Sequence, residues 1–229
     1  MVRAVNRPAG YLATPAGEGP WPGVVVIHEI FGLDEEIRIH TDRLAAMGYL
    51  AFAVDLFAER RRLCTARALK AVATGSGPEY ADIATAREWL RAQDGCTGRV
   101  GVVGFCLGGG FALMTLPDWD AAAVNYGALP RRLGSAVGGS CPVVGSYGGR
   151  DRTLPGAARK LAAALREADV AHDVKEYPAA GHSFLNEHPN APAWAAPIAG
   201  ALMHVGPEPT SAADAWVRID AFLGEHLRA

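Results

Sequence analysis

The sequence has no apolar run approaching the ~20 residues that a membrane-spanning helix requires. It also has no stretch near its start that combines positive charge, an apolar core and a small-residue cleavage site. A soluble, cytoplasmic protein without membrane contact is therefore expected. Charge of one sign is lacking too: the net charge is −2 over 229 residues, and the only basic run is Arg60-Arg61-Arg62. That run reads as a solvated helix start or loop, and nucleic-acid binding is not expected. Cysteine is sparse. Cys64, Cys96, Cys106 and Cys141 lie in a chain too long and too cysteine-poor for a disulfide scaffold, so all four read as free thiols. No pair has zinc-knuckle spacing, and the residue four after His28 is Gly32, so His28-Glu29 does not open a zinc motif. No metal site is predicted. Repeats, low-complexity linkers and a convincing internal boundary are absent as well. Half the residues are hydrophobic and a fifth are charged, which excludes a disordered chain and predicts a single domain over residues 1–229.

What is present is an alternation of strand-like and helix-like segments, the pattern of an α/β fold with a mostly parallel sheet covered on both faces. Strands are predicted at 24–28, 50–54, 99–103, 121–126, 142–147 and 172–177. Asp34 is placed to cap a helix that carries Glu35 and Glu36 in its first turn and ends at Gly48. Helices are predicted over 61–74 and 79–93, separated by the breaker Gly75-Ser76-Gly77-Pro78, then over 110–116, 156–168 and 212–227. The last presents Trp216, Ile219, Leu223 and Leu227 on one face. The alanine- and proline-rich stretch 189–209 has no clear period beyond a short helix near 199–204. It reads as an insertion at the functional end of the sheet, either a covering loop or a passive excursion.

The most informative segment is Gly104-Phe105-Cys106-Leu107-Gly108-Gly109, between an apolar strand and a helix. A strand, a tight glycine turn and a helix make a nucleophile elbow, with cysteine at the position more often held by serine. Alone, Gly-x-Cys-x-Gly is a weak pattern, since a cysteine among apolar residues is usually an inert core residue. Context changes that reading. In this order of elements the acid follows the nucleophile and the histidine follows the acid. Asp151 comes just after the predicted strand 142–147, and His182 just after 172–177. Taken singly, Asp151 reads as a turn residue or helix cap, and His182 equally as a surface loop histidine. Taken together, all three lie beyond strand C-termini, which share one edge in a parallel sheet, where ligands bind. A thiol with a base, and a base with an orienting carboxylate, is the arrangement for nucleophilic catalysis. Ser183 lacks an elbow and is a poor rival nucleophile.

Glu29 ends another buried strand at the same edge, where a carboxyl needs a partner. The backbone N–H groups of Leu107 and Ile30 are candidates for an oxyanion hole, one donor following the nucleophile and the other from an early strand-to-helix loop.

With these residues in place, the chain resembles the dienelactone hydrolase family of α/β-hydrolases. The resemblance rests on His28-Glu29-Ile30-Phe31-Gly32, Gly104-Phe105-Cys106-Leu107-Gly108-Gly109, Gly149-Arg150-Asp151 and Ala180-Gly181-His182-Ser183-Phe184, in that order. It implies an α/β-hydrolase fold, a triad of Cys106, His182 and Asp151, a thioester acyl-enzyme, and no metal or organic cofactor. It also implies that Glu29 contacts the resting thiol and helps generate the thiolate when substrate binds. One departure stands out. Where family members acting on dienelactone carry an arginine that pairs with the substrate carboxylate, this chain has Asn186. Asn cannot form a charged bidentate clamp, and Arg60, Arg61 or Arg62 would have to substitute.

The expected function is hydrolysis of a small activated ester or lactone, of the carboxymethylenebutenolidase type, with enol lactones or aryl esters favoured over amides. The alternatives are a general carboxylesterase or thioesterase on the same scaffold, and a non-catalytic small-molecule binding protein. The expected partner is a small-molecule ester or lactone, and the expected state is a monomer.

Overall fold

The computed structural model describes residues 7–58, 64–189 and 196–228. Arg60, Arg61 and Arg62 lie outside the described residues, as does the segment 190–195.

Among the described residues seven strands form one sheet: β1 (Gly10–Ala13), β2 (Trp21–Ile27), β3 (Leu50–Val54), β4 (Cys96–Phe105), β5 (Ala122–Asn125), β6 (Val143–Gly148) and β7 (His172–Tyr177). Their spatial order is β1-β3-β2-β4-β5-β6-β7. Every pairing is parallel except β1 with β3. The short edge strand β1 was not anticipated, because Gly10-Tyr11-Leu12-Ala13 is too brief to show a period and takes its register from β3. The central strands are apolar on both faces, as a sheet covered twice requires. In β2, Val25 and Ile27 enter one core while Val24 and Val26 enter the other. In β4, Val100 and Val102 face the first core, and Val103 and Phe105 the second.

The helices are α1 (Glu35–Ala46), α2 (Cys64–Thr74), α3 (Pro78–Arg91), α4 (Leu107–Met114), α5 (Leu133–Val137), α6 (Ala157–Glu167), α7 (Ala196–Met203) and α8 (Pro209–Leu227). Asp34 caps α1 as expected, its Oδ1 accepting the N–H of Ile37 at 3.1 Å. The elbow helix starts three residues earlier than the sequence suggests, since the chain turns helical immediately after Cys106. It stops at Met114, where a 3₁₀ turn over Leu116–Asp118 takes over. The last helix also begins earlier, at Pro209, with Glu208 as N-cap accepting from Ser211 N at 2.8 Å and Thr210 N at 3.3 Å. Its Trp216, Ile219, Leu223 and Leu227 are buried on the predicted face. Together α1 and α8 close one core, and α3, α4 and α6 the other. Among the described residues no helix is long and apolar enough to cross a membrane.

The architecture puts the ends of β2, β4, β5, β6 and β7 along one rim. Glu29, Cys106, Tyr126, Asp151 and His182 follow those strands in turn.

Candidate active site

The sheet delivers Cys106 on the elbow. Its backbone sits at φ 53°, ψ −112°, a conformation that costs an L-residue ~1–3 kcal/mol and persists only when its surroundings enforce it. The enforcing contacts are visible. The Cys106 N–H donates to Asn125 O at 3.0 Å, and its own carbonyl accepts from Gly110 N at 3.2 Å. The turn leaves no room for side chains either side. A Cβ on Gly104 would lie 2.2 Å from Gly108 O, and one on Gly108 2.1 Å from Ile27 O. The thiol is partly exposed, whereas Cys64 and Cys141 are buried.

His182 is fixed from behind by Asp151, with Nδ1 at 2.6 Å from Oδ2. The second Asp151 oxygen accepts the Thr153 N–H at 2.9 Å and the Thr153 hydroxyl at 2.6 Å. Asp151 is thus fully engaged in one orientation. Burial alone would raise its pKa, but hydrogen bonds from His182 and Thr153 outweigh that and hold it below the usual carboxylate range. Because Nδ1 is committed to Asp151, Nε2 is the nitrogen left to act. It is buried, and among the described residues only the Cys106 sulfur engages it. Burial pulls the His182 pKa down, but the charge of Cys106 and the hydrogen bond to Asp151 push it the other way, to about 10. The sulfur is therefore an electrostatic partner of the imidazole, and both side chains line one pocket with Leu107 and Ile30.

Glu29 is buried. Ser183 Oγ donates to its Oε1 at 2.8 Å, and Asn186 Nδ2 approaches its Oε2 at 3.4 Å. Asn186 Oδ1 in turn lies 3.0 Å from His40 Nε2. The position that the resemblance reserves for a substrate-clamping arginine is thus occupied by a buried amide turned toward Glu29, and Asn186 is not among the residues lining the pocket. His28, next to Glu29, serves the backbone: Nδ1 lies 2.7 Å from Glu29 O, and Nε2 accepts the Leu56 N–H at 3.1 Å. With both nitrogens engaged and burial lowering its pKa, it acts as a neutral tie between the ends of β2 and β3.

The segment after 195 is neither a plain cover nor a passive excursion. The last carbonyls of α7 receive the loops of both predicted partners: His182 N donates to Met203 O at 2.8 Å and Arg152 N to Leu202 O at 3.0 Å. Gly206 N returns a bond to His182 O at 3.2 Å. This segment braces the histidine, and Met203 adds a wall to the pocket.

Sequence reasoning missed several members of the site. Thr153 carried a readable signal, since Asp-x-Thr is an Asx-turn pattern. Tyr126 follows a strand at the same rim, with its ring centroid 5.0 Å from that of His182. Ser183 enters the site through its hydroxyl, which holds Glu29. Nothing in the pattern of α1 marks His40. Among the described residues no group of histidine, cysteine, aspartate and glutamate could hold a metal ion.

The chain matches the model of the dienelactone hydrolase family over residues 9–227. It is 32% identical over 201 residues to the Escherichia coli (strain K12) protein named "Putative carboxymethylenebutenolidase", covering 78% of this chain and 73% of that one. It is 30% identical over 190 residues to the carboxymethylenebutenolidase of Pseudomonas putida, covering 76% and 80%. The crystal structure of the Klebsiella pneumoniae subsp. pneumoniae MGH 78578 "Putative Dienelactone Hydrolase" superposes with a TM-score of 0.73 at 27% identity, over 94% of this chain and 92% of that one. At 14% identity, Est1E from Butyrivibrio proteoclasticus shares the fold, with a TM-score of 0.64 over 96% and 94%.

Proposed function

The chain belongs to the dienelactone hydrolase family, and on that premise we propose that it cleaves a small activated ester or lactone through a thioester on Cys106. The observation that carries this reading is the opening of Cys106 and His182 into one pocket while the far side of the imidazole is tied to Asp151 at 2.6 Å.

In the first half-reaction the sulfur attacks the substrate carbonyl as a thiolate, its proton held on His182 Nε2. The S–C bond forms as the carbonyl π-electrons move onto oxygen. The N–H groups of Leu107 and Ile30 receive that oxyanion. Losing one such donor typically costs ~3–4 kcal/mol of barrier stabilisation. Collapse breaks the C–O bond, and the departing oxygen takes the proton from His182. In the second half-reaction a water attacks the thioester and gives its proton to His182. The C–S bond breaks, the acid leaves, and the thiolate and the protonated His182 are restored. Asp151 keeps Nδ1 protonated and supports the imidazolium in both halves. Thiolate is a good leaving group, so the first tetrahedral intermediate reverts when the substrate's own leaving group is poor. Enol and aryl esters are accordingly favoured over amides. Glu29 is proposed to bias the thiol toward thiolate once substrate has entered.

The test is turnover of p-nitrophenyl acetate. Cys106→Ala is expected to abolish it, with a wild-type acyl-enzyme visible by intact mass after rapid acid quench. Undiminished activity in Cys106→Ala would exclude the mechanism.

A further inference from the structure

The pocket at Cys106 has a volume of about 470 Å³, within the range for small ligands. Its walls are apolar: Leu69 and Val72 from α2, Met114 from α4, Leu129 and Leu154 from the loops after β5 and β6, and Met203 from α7.

The most telling wall is α2. Cys64, Ala68 and Ala71 are buried toward the core and lie at helical spacing along one side. Leu69, Val72 and Ala73 form a second apolar stripe at i, i+3 and i+4, and this stripe faces the pocket. Core packing accounts for the first stripe and not for the second. Leu69 remains 50% exposed, one of few large hydrophobic side chains so exposed among the described residues. The same pocket reaches Cys106 and His182, so an apolar group covering Leu69 belongs to a molecule engaged at the sulfur.

Fixed charge is scarce in this space. Apart from His182, Arg131 is the only cationic side chain among the described lining residues, and it is solvent-exposed. Asn186 is turned away toward Glu29. A carboxylate in such a pocket would lose its hydration and gain, among the described residues, no buried cation besides His182.

We propose that this pocket is an acyl site for uncharged hydrophobic esters, and that acidic lactones are poor substrates. The proposal rests on the reading that Cys106 is acylated. The acyl group is the part assigned here because it stays on the sulfur through both half-reactions, whereas the alcohol must leave between them.

The experiment compares kcat/KM for p-nitrophenyl acetate, butyrate and hexanoate, and for mono-p-nitrophenyl adipate, the carboxylate-terminated counterpart of the hexanoate. From acetate to butyrate the expected rise is about 4-fold per methylene, the equivalent of about 0.8 kcal/mol each. The adipate is expected to be at least about tenfold poorer than the hexanoate. In Leu69→Glu, whose side chain is already half exposed, the butyrate-to-acetate ratio should fall by roughly threefold or more. Arg131→Ala should leave the hexanoate-to-adipate preference in place. A flat or falling acyl series in the wild type overturns the acyl site. So does an adipate that outpaces the hexanoate and loses that advantage in Arg131→Ala. In both cases ester cleavage by Cys106 still stands. Failure to cleave any of the four esters removes the acylation reading itself, and the acyl site with it.

Discussion

His40 and Asn186, separated by 146 positions, meet through a 3.0 Å hydrogen bond between Nε2 and Oδ1. Burial lowers the His40 pKa, so the ring is neutral. To bond an amide oxygen, its proton must sit on Nε2. With Oδ1 occupied in this way, the amide presents Nδ2, a donor, to Glu29. The ring also stacks on Phe105, centroid to centroid at 4.4 Å, directly before the elbow cysteine. One histidine on α1 therefore sets which end of an amide faces the carboxyl at the site.

The first prediction concerns this relay. Asn186→Leu leaves His40 and Glu29 each short of a buried partner, and leaving a buried polar group unsatisfied costs about 1–3 kcal/mol. Urea unfolding should show a loss of this size, together with reduced kcat on p-nitrophenyl acetate. Restoring an amide with Asn186→Gln should recover part of both. Unchanged stability in Asn186→Leu would mean that the relay carries no energetic weight.

Thiol reactivity should single out Cys106. Burial raises the pKa of Cys141 to about 12 and also raises that of Cys96. Cys106 is partly exposed and pairs electrostatically with His182. Brief iodoacetamide treatment followed by peptide mass mapping should label Cys106 first, and His182→Ala should slow that labelling. Equal labelling of Cys96 and Cys106 would contradict a tuned nucleophile.

Stability should fall at alkaline pH because of His182. Its pKa is raised from 6.5 to about 10 in the folded chain. The folded state therefore holds a proton that the unfolded chain has already released. The contribution is complete below about pH 6.5 and disappears as pH rises through about 10. Melting temperatures measured between those limits should decline in the wild type and less steeply in His182→Gln. Parallel curves would remove the proposed coupling between the imidazole and the sulfur.

Glycine at the elbow is a steric requirement. Gly108→Ala forces a Cβ to within 2.1 Å of Ile27 O, a backbone atom that cannot rotate away. A loss of about 3 kcal/mol or more is expected, as for severe overpacking. The comparison is Gly134→Ala in α5, where the added Cβ meets nothing within 4 Å. Thermal unfolding of the two variants should differ by several degrees, with Gly134→Ala close to the wild type.

Much of this was readable along the chain because it depends on local chemistry. The apolar runs of β2 and β4 announce strands buried on both faces. Asp34 announces the start of α1, and the Gly-x-Cys-x-Gly turn announces the elbow. Cys106, Asp151 and His182 could be placed at one rim because parallel strands put all their C-termini on the same side. The bounds of α4 and α8 were less readable. Cys106 and Glu208, which begin them, act through backbone geometry and a carboxylate cap that the hydrophobic period does not register.

The residues alone determined the layered parallel sheet and the place of Cys106 on a tight strand-to-helix turn, because strand burial and the elbow turn follow from neighbours a few positions apart. Tertiary structure decided what surrounds the sulfur. Asn186 faces Glu29 because His40 arrives from α1. The 200–206 segment braces His182 because α7 ends against its loop. The pocket is apolar because α2 turns a second stripe toward it. Each of these joins positions distant in sequence, and only packing of the whole chain sets which of their atoms meet.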